Sequence, residues 1–139
     1  MNYKIIAKFI KNSKFNIPNT DTFFNLPKKI KDYTIKVDIK SKQLKEKTIL
    51  IYTTLNLIPK VEVKDLIECE ICLSSIVELD GNVKNKKELE EIILIKVPTD
   101  IYDELREIFV SFFQKSGYRE IKLGSKVDFR KLYELRKVQ

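Results

Sequence analysis

From residue 33 to residue 40 apolar and polar side chains alternate without a break: Tyr33, Ile35, Val37 and Ile39 against Thr34, Lys36, Asp38 and Lys40. Successive side chains of an extended strand point to opposite faces, so the pattern puts one face on a core and leaves the other in water. This is the reading of a half-buried antiparallel strand; parallel strands are covered on both faces and read as continuous apolar runs. One such strand is not stable alone, and the first 80 residues supply neighbours with the same period. They are predicted at about 3–11 (Tyr3, Ile5, Ala7 and Phe9 inward), 47–58 (Ile49, Ile51, Leu55 and Leu57) and 66–79. In the last, Ile67, Cys69, Ile71, Leu73, Val77 and Leu79 share one side, and Glu68, Glu70, Ser74 and Glu78 the other.

The joins SKQLKEK (41–47) and PKVEVKD (59–65) are short and contain turn formers. The connection from the first strand to the second, NIPNTDTFFNLPKKIKD, is long for a hairpin and holds Phe23, Phe24, Leu26 and two prolines. A loop this rich in aromatic residues either packs over the domain or binds something. After Gly81 the period becomes helical. Asn85 followed by Glu88 forms a capping box that opens a helix through Leu89, Ile92 and Ile93, which Pro98 is expected to close. A longer helix then starts at a Thr99 or Asp100 cap, carries the stripe Ile101, Leu105, Ile108, Phe109 and Phe112, and stops at Ser116 and Gly117. A last helix begins near Asp128 and buries Phe129, Leu132 and Tyr133. The fold class is α+β, a four-stranded antiparallel sheet with a long crossover loop followed by two to three helices. We read it as one domain over 1–139, with the sheet in about the first 80 residues and helices from about 85 to 137.

A chain of 139 residues with 43% apolar and 34% charged residues has the composition of a globular protein. The N-terminus lacks the apolar core and cleavage site of a secretory signal, and no apolar run reaches membrane-spanning length, so a cytoplasmic protein without membrane insertion is expected. There is no histidine, no Gly-rich phosphate loop and no H-E-x-x-H or G-x-S-x-G motif, which argues against an enzyme. The pair Glu68 and Glu70 lies on the wet side of its strand, where carboxylates are solvated rather than tuned for proton transfer. Cys69 and Cys72 are too few for a four-ligand metal site, and three residues apart on a strand they face opposite sides, so we read them as structural thiols and expect no cofactor.

The net charge of +7 is uneven, with twelve lysines against four carboxylates in residues 1–47. Such a basic surface attracts nucleic acid or an acidic partner, or simply solubilises. A single-strand platform would need exposed rings between cations, whereas Tyr3, Phe9 and Tyr33 fall on the inward side of the alternation, so no nucleic-acid partner is expected.

From Pro98 to Tyr133 the chain carries Pro98, the Arg106–Glu107 pair, Gly117, and then Val127, Asp128, Phe129, Leu132 and Tyr133. This run resembles the SecB pattern of Pro, Arg-Glu, Gly and a closing V-N/D-F-x-x-L-F/Y. KNSKFNIPN, ending in Pro18 and Asn19, resembles that family's first-strand motif, and ECEI at 68–71 resembles its Cys-Glu-Val. Three anchors in order cover nearly the whole chain. The resemblance implies helices on one face of the sheet and a homotetramer built as a dimer of dimers. It also implies a chaperone that binds unfolded preproteins through apolar grooves and keeps them translocation-competent for the SecA motor. Carried over by position, the client-binding residues are Phe23, Phe24 and Leu26 in the crossover, with Phe109, Phe112, Phe113 and Tyr118 on or after the main helix. SecA docking falls to Glu68 and Glu70, but Asn12 and Asn16 stand where relatives carry first-strand carboxylates. Two other readings compete: a SecB-like chaperone dedicated to one partner, such as an antitoxin of a toxin–antitoxin system, and a basic nucleic-acid-binding module.

Overall fold

The structure, a computed structural model, describes residues 2–81, 83, 85–118 and 127–138, the last three by their backbone alone. Four antiparallel strands, β1 (Tyr3–Asn16), β2 (Tyr33–Lys45), β3 (Thr48–Pro59) and β4 (Glu68–Leu79), form one sheet in the order β1-β4-β3-β2. Strands β2, β3 and β4 follow one another as a meander, and β1 lies on the outer side of β4, pairing Tyr3 with Leu79 and Asn16 with Glu68. The α+β architecture is the one the periodicities require.

The crossover is not a plain loop. Helix α1 (Thr20–Lys29) and a 3-10 turn (Ile30–Asp32) occupy it. Asn19 is extended, and its side chain accepts from the Thr22 amide at 2.8 Å, which caps the first turn. Pro27 sits inside this helix and has no N–H, so the carbonyl four residues back, that of Phe23, loses its helical donor. The Tyr118 hydroxyl donates to that carbonyl instead. A proline that argues against a helix is tolerated here because a distant side chain replaces the missing bond.

Pro98 is likewise absorbed rather than obeyed. Asn85 caps α2 (Lys86–Glu91) through a 2.7 Å bond from the Glu88 amide, as expected. The chain then passes through a π-helical turn (Ile92–Lys96) directly into α3 (Val97–Lys115), so the expected break at Pro98 is absent. In that turn the Val97 amide reaches back five residues to Ile92. The wider turn makes room for the proline ring, which an α-turn would press against the preceding turn's carbonyl. Thr99 therefore caps nothing; its hydroxyl donates to the Ile95 carbonyl at 2.5 Å, and Asp100 accepts from the Tyr3 hydroxyl on β1.

The helices cover one face of the sheet. Leu55, Leu57, Cys69, Ile71 and Leu73 from the strands meet Ile101, Leu105, Phe109 and Phe113 of α3, with Phe129 and Tyr133 of α4 (Phe129–Val138) closing the far end. Each fully buried side chain of this size contributes about 1.5–3 kcal/mol over leaving it exposed. Leu132 departs from expectation and stays 46% exposed, because Phe129 and Tyr133 already fill the inward stripe of the short α4.

Strand β1 departs more. Register shifts between Ile5 and Ala7 and between Ile10 and Asn12 mark bulges. An inserted residue moves every following side chain to the other face. Tyr3 and Ile5 point to the core as expected, but Ala7 and Phe9 lie on the uncovered face, opposite Ile76 and Ser74, and Phe9 is 45% exposed. Lys8 takes an inward place and pairs with Glu104 of α3.

Candidate functional site

Helix α3 ends in a way that builds the site. Gly117 takes a φ of 109°, which only glycine adopts without strain, and the Tyr118 amide folds back to the Phe113 carbonyl at 2.9 Å while the Gly117 amide bonds Gln114 at 3.2 Å. This double bond pattern turns the chain sharply and lays the Tyr118 ring on Phe23 of α1, centroids 4.8 Å apart. The same glycine leaves room for that partner, since a Cβ there would meet the Phe23 ring at 3.1 Å. Burial raises the pKa of Tyr118, so its hydroxyl remains a donor to the Phe23 carbonyl. Gly117 and Tyr118 thereby clamp the crossover helix, through the distant Phe23, to the end of the main helix.

Beside the clamp lies an aromatic surface. Phe24 stands edge-on to Phe23 at 5.5 Å and is 71% exposed. Phe112 is half-buried and stacks on Phe15 of β1 at 5.8 Å, and Phe15 in turn meets the edge of Phe113 at 5.1 Å. Of the seven apolar positions singled out in the sequence, Phe24, Phe23, Phe112 and Tyr118 retain surface. Leu26, Phe109 and Phe113 are buried in the core and support that surface from below. Sequence reasoning did not single out Phe15, whose place between Phe112 and Phe113 follows from the second β1 bulge and left no mark in the alternation.

Two clefts extend this side of the molecule. One, of about 270 Å³, runs between α1 and the β3–β4 connection, lined by Tyr33, Val61, Val63 and Ile67 together with charged residues of both signs, among them Asp32 and Lys64. Val61 is 56% exposed and the neighbouring Leu66 40%. The other, of about 240 Å³, lies between α4 and the β2 edge, walled by Val37, Ile39, Leu94, Phe129 and Leu132. In the sequence PKVEVKD reads only as a short join; Val61 and Val63 alternating with charged residues in it are the signal that could have marked this first cleft.

On the opposite, uncovered face, Lys14 pairs with Glu68, and hydrogen bonding and charge from Glu68, with Glu70 adding, hold the lysine's pKa above its usual value. Asn12 and Asn16 are exposed on this face. The two carboxylates, Glu68 and Glu70, are therefore partly neutralised by a lysine of the same chain. Both cysteines are free and buried. Burial pushes the Cys69 thiol up to about 12, which keeps it protonated and unreactive at neutral pH. Among the described residues no group of His, Cys, Asp and Glu converges as a metal site, and no helix is long and apolar enough to cross a membrane.

The family profile of the preprotein translocase subunit SecB matches residues 1–139. The chain belongs to the SecB family. A protein assigned the name protein-export protein SecB in Pelagibacter ubique (strain HTCC1062) is 41% identical over 135 residues, 97% of this chain and 96% of its own length. Among solved structures, a SecB-like chaperone from Mycobacterium tuberculosis, in complex with a peptide of the HigA1 antitoxin, superposes with a TM-score of 0.66. It covers 90% of this chain and 91% of its own at 8% identity, a likeness of fold. As a SecB-family member the chain is a protein-export chaperone, and this is a family of chaperones rather than of known enzymes.

Proposed function

We propose that this SecB-family chain holds unfolded preproteins on the aromatic surface formed by Phe23, Phe24, Phe112 and Tyr118. Leu26, Phe109 and Phe113 fix its floor, and the two clefts provide its extensions. The observation that carries this reading is Phe24: a large aromatic side chain with 71% of its surface in water, on a helix clamped in place by Phe23 and Tyr118. Burying apolar client surface stabilises the complex by about 25 cal/mol per Å² without demanding a particular shape, so a broad surface accepts many sequences. The reading assigns no chemical step and no cofactor, in keeping with a chain that has no histidine and keeps Cys69 protonated.

The holding form is an oligomer, a dimer of dimers as in the family. Strand β1 is an unpaired sheet edge 14 residues long, and Ile6 and Ile10 on it are 48% and 49% exposed, which favours pairing with a second copy. Several copies present several surfaces to one long client, which raises avidity. The cytoplasm is where such a protein would meet preproteins before export, and SecA would receive them. The partial neutralisation of Glu68 and Glu70 by Lys14 favours a second reading of the same fold, a chaperone dedicated to one partner such as an antitoxin. Failure of the purified chain to bind SecA would favour that reading.

The test is light scattering of a denatured client diluted into the purified protein. Wild type suppresses aggregation, and Phe24→Ser weakens suppression several-fold at unchanged oligomer mass. Full holding by Phe24→Ser removes that residue from the site, and a monomer without holding activity removes the proposal.

A further inference from the structure

The sheet face that carries no helix has a composition its neighbours do not explain. Strand pairing places its side chains in cross-sheet rows: Lys40, Tyr52, Ser74 and Phe9 in one, and Lys42, Leu50, Ile76 and Ala7 in the next. Residue Lys11, displaced by the second β1 bulge, lies over the Tyr52 ring with its Nζ 4.3 Å from the centroid. These two rows therefore hold an apolar floor with three ammonium groups around it and no carboxylate. The flanking rows bring the first acids, Asp38 on one and Glu78, opposite Lys4 and Thr48, on the other. Phe9 is 45% exposed, while Ser74 beneath it is fully buried and its hydroxyl lacks a hydrogen-bond partner. An unpaired buried hydroxyl costs free energy unless something satisfies it.

The geometry points to a second docking surface on this face, occupied by an acidic polypeptide segment that places carboxylates at Lys11, Lys40 and Lys42 and an apolar side chain over Phe9, Leu50 and Ile76. Charge complementarity selects the occupant: each cation free of a carboxylate in these rows borders apolar ground, so acidic and apolar side chains in alternation fit both. Single-stranded nucleic acid fits less well. One face of Tyr52 is already covered by Lys11, which leaves Phe9 as the only open ring in the two rows, and base stacking needs several. All three cations are lysines rather than the arginines that grip phosphate in a fork. The surface is remote from the proposed client surface, since the sheet separates the two.

Fluorescence anisotropy with a labelled peptide alternating Glu and Leu tests this, with a Gln–Leu peptide and oligo-dT as the other probes. Binding of the Glu–Leu peptide is expected to weaken as salt rises and to fall about tenfold in Lys40→Glu/Lys42→Glu, two exposed positions whose reversal leaves the fold intact. Phe24→Ser leaves that binding unchanged, and Lys40→Glu/Lys42→Glu leaves client holding unchanged, so this surface and the holding surface fail separately. Equal affinity for the Gln–Leu peptide, undiminished binding by the double variant, or tighter binding of oligo-dT that displaces the peptide would each overturn the proposal.

Discussion

Replacing Tyr118 by phenylalanine removes one hydroxyl and keeps the ring that packs on Phe23. The hydroxyl donates to the Phe23 carbonyl, which has no helical donor because Pro27 lacks an N–H. A net hydrogen bond of this kind contributes roughly 0.5–1.5 kcal/mol, and the half-buried setting lets water replace only part of it, so we expect a loss of about 1 kcal/mol. For a chain of 139 residues this lowers Tm by about 4 °C, measured at fixed protein concentration because assembly shifts the transition. Pro27→Ala restores an N–H four residues after Phe23 and makes the hydroxyl redundant. In that background Tyr118→Phe should cost at most a few tenths of a kcal/mol, giving a coupling of about 0.5–1 kcal/mol in the double-mutant cycle. Hydrogen exchange of the α1 amides should quicken in Tyr118→Phe alone, since the clamp holds that helix to α3. Equal cost in both backgrounds would show that the hydroxyl does not stand in for the missing proline donor.

Gly117→Ala forces a side chain into a positive-φ position and against the Phe23 ring, and should destabilise by about 1–2 kcal/mol with loss of α1 protection in hydrogen exchange; an unchanged denaturation midpoint contradicts it. The Cys69 thiol is pushed up to about 12 by burial, so above pH about 9 the unfolded chain releases a proton that the native chain keeps. Stability then falls with rising pH by up to about 1.4 kcal/mol per unit until the native thiol ionises, and Cys69→Ala should flatten that slope in urea titrations. Thr53 is fully buried with an unpaired hydroxyl, so Thr53→Val should raise stability by about 1 kcal/mol; a lower denaturation midpoint would reveal an unseen partner.

Strands β2, β3 and β4 were legible because enough of each alternates with period two to report a face, without a break over 33–40. The Asn85 cap was legible for a similar reason, being a local signal with a local partner. What the sequence hid depends on distant partners. The α1 helix was read as loop because Pro27 argues against it locally, and only Tyr118, 91 residues away, makes it tolerable. Pro98 reads as a stop unless the π-turn before it is known. The β1 bulges reassigned Phe9 from the core to the open face, and with it fell the sequence argument that no ring is exposed among the lysines. Within the candidate site, types and stripe positions were readable, but which of Phe109, Phe112 and Phe113 keeps surface depended on how Phe15 packs among them.

The strand order has a consequence for synthesis. Tyr3 pairs with Leu79 and Asn16 with Glu68, whereas β2 and β3 pair across a tight hairpin. Contacts so far apart along the chain close late, after the local ones. Of these four strands, the earliest made is thus the last that can join the sheet. Until residue 79 has been made, Ile6, Phe9 and Ile10 travel on an open strand, and a helper of unfolded chains is itself one in need of shelter.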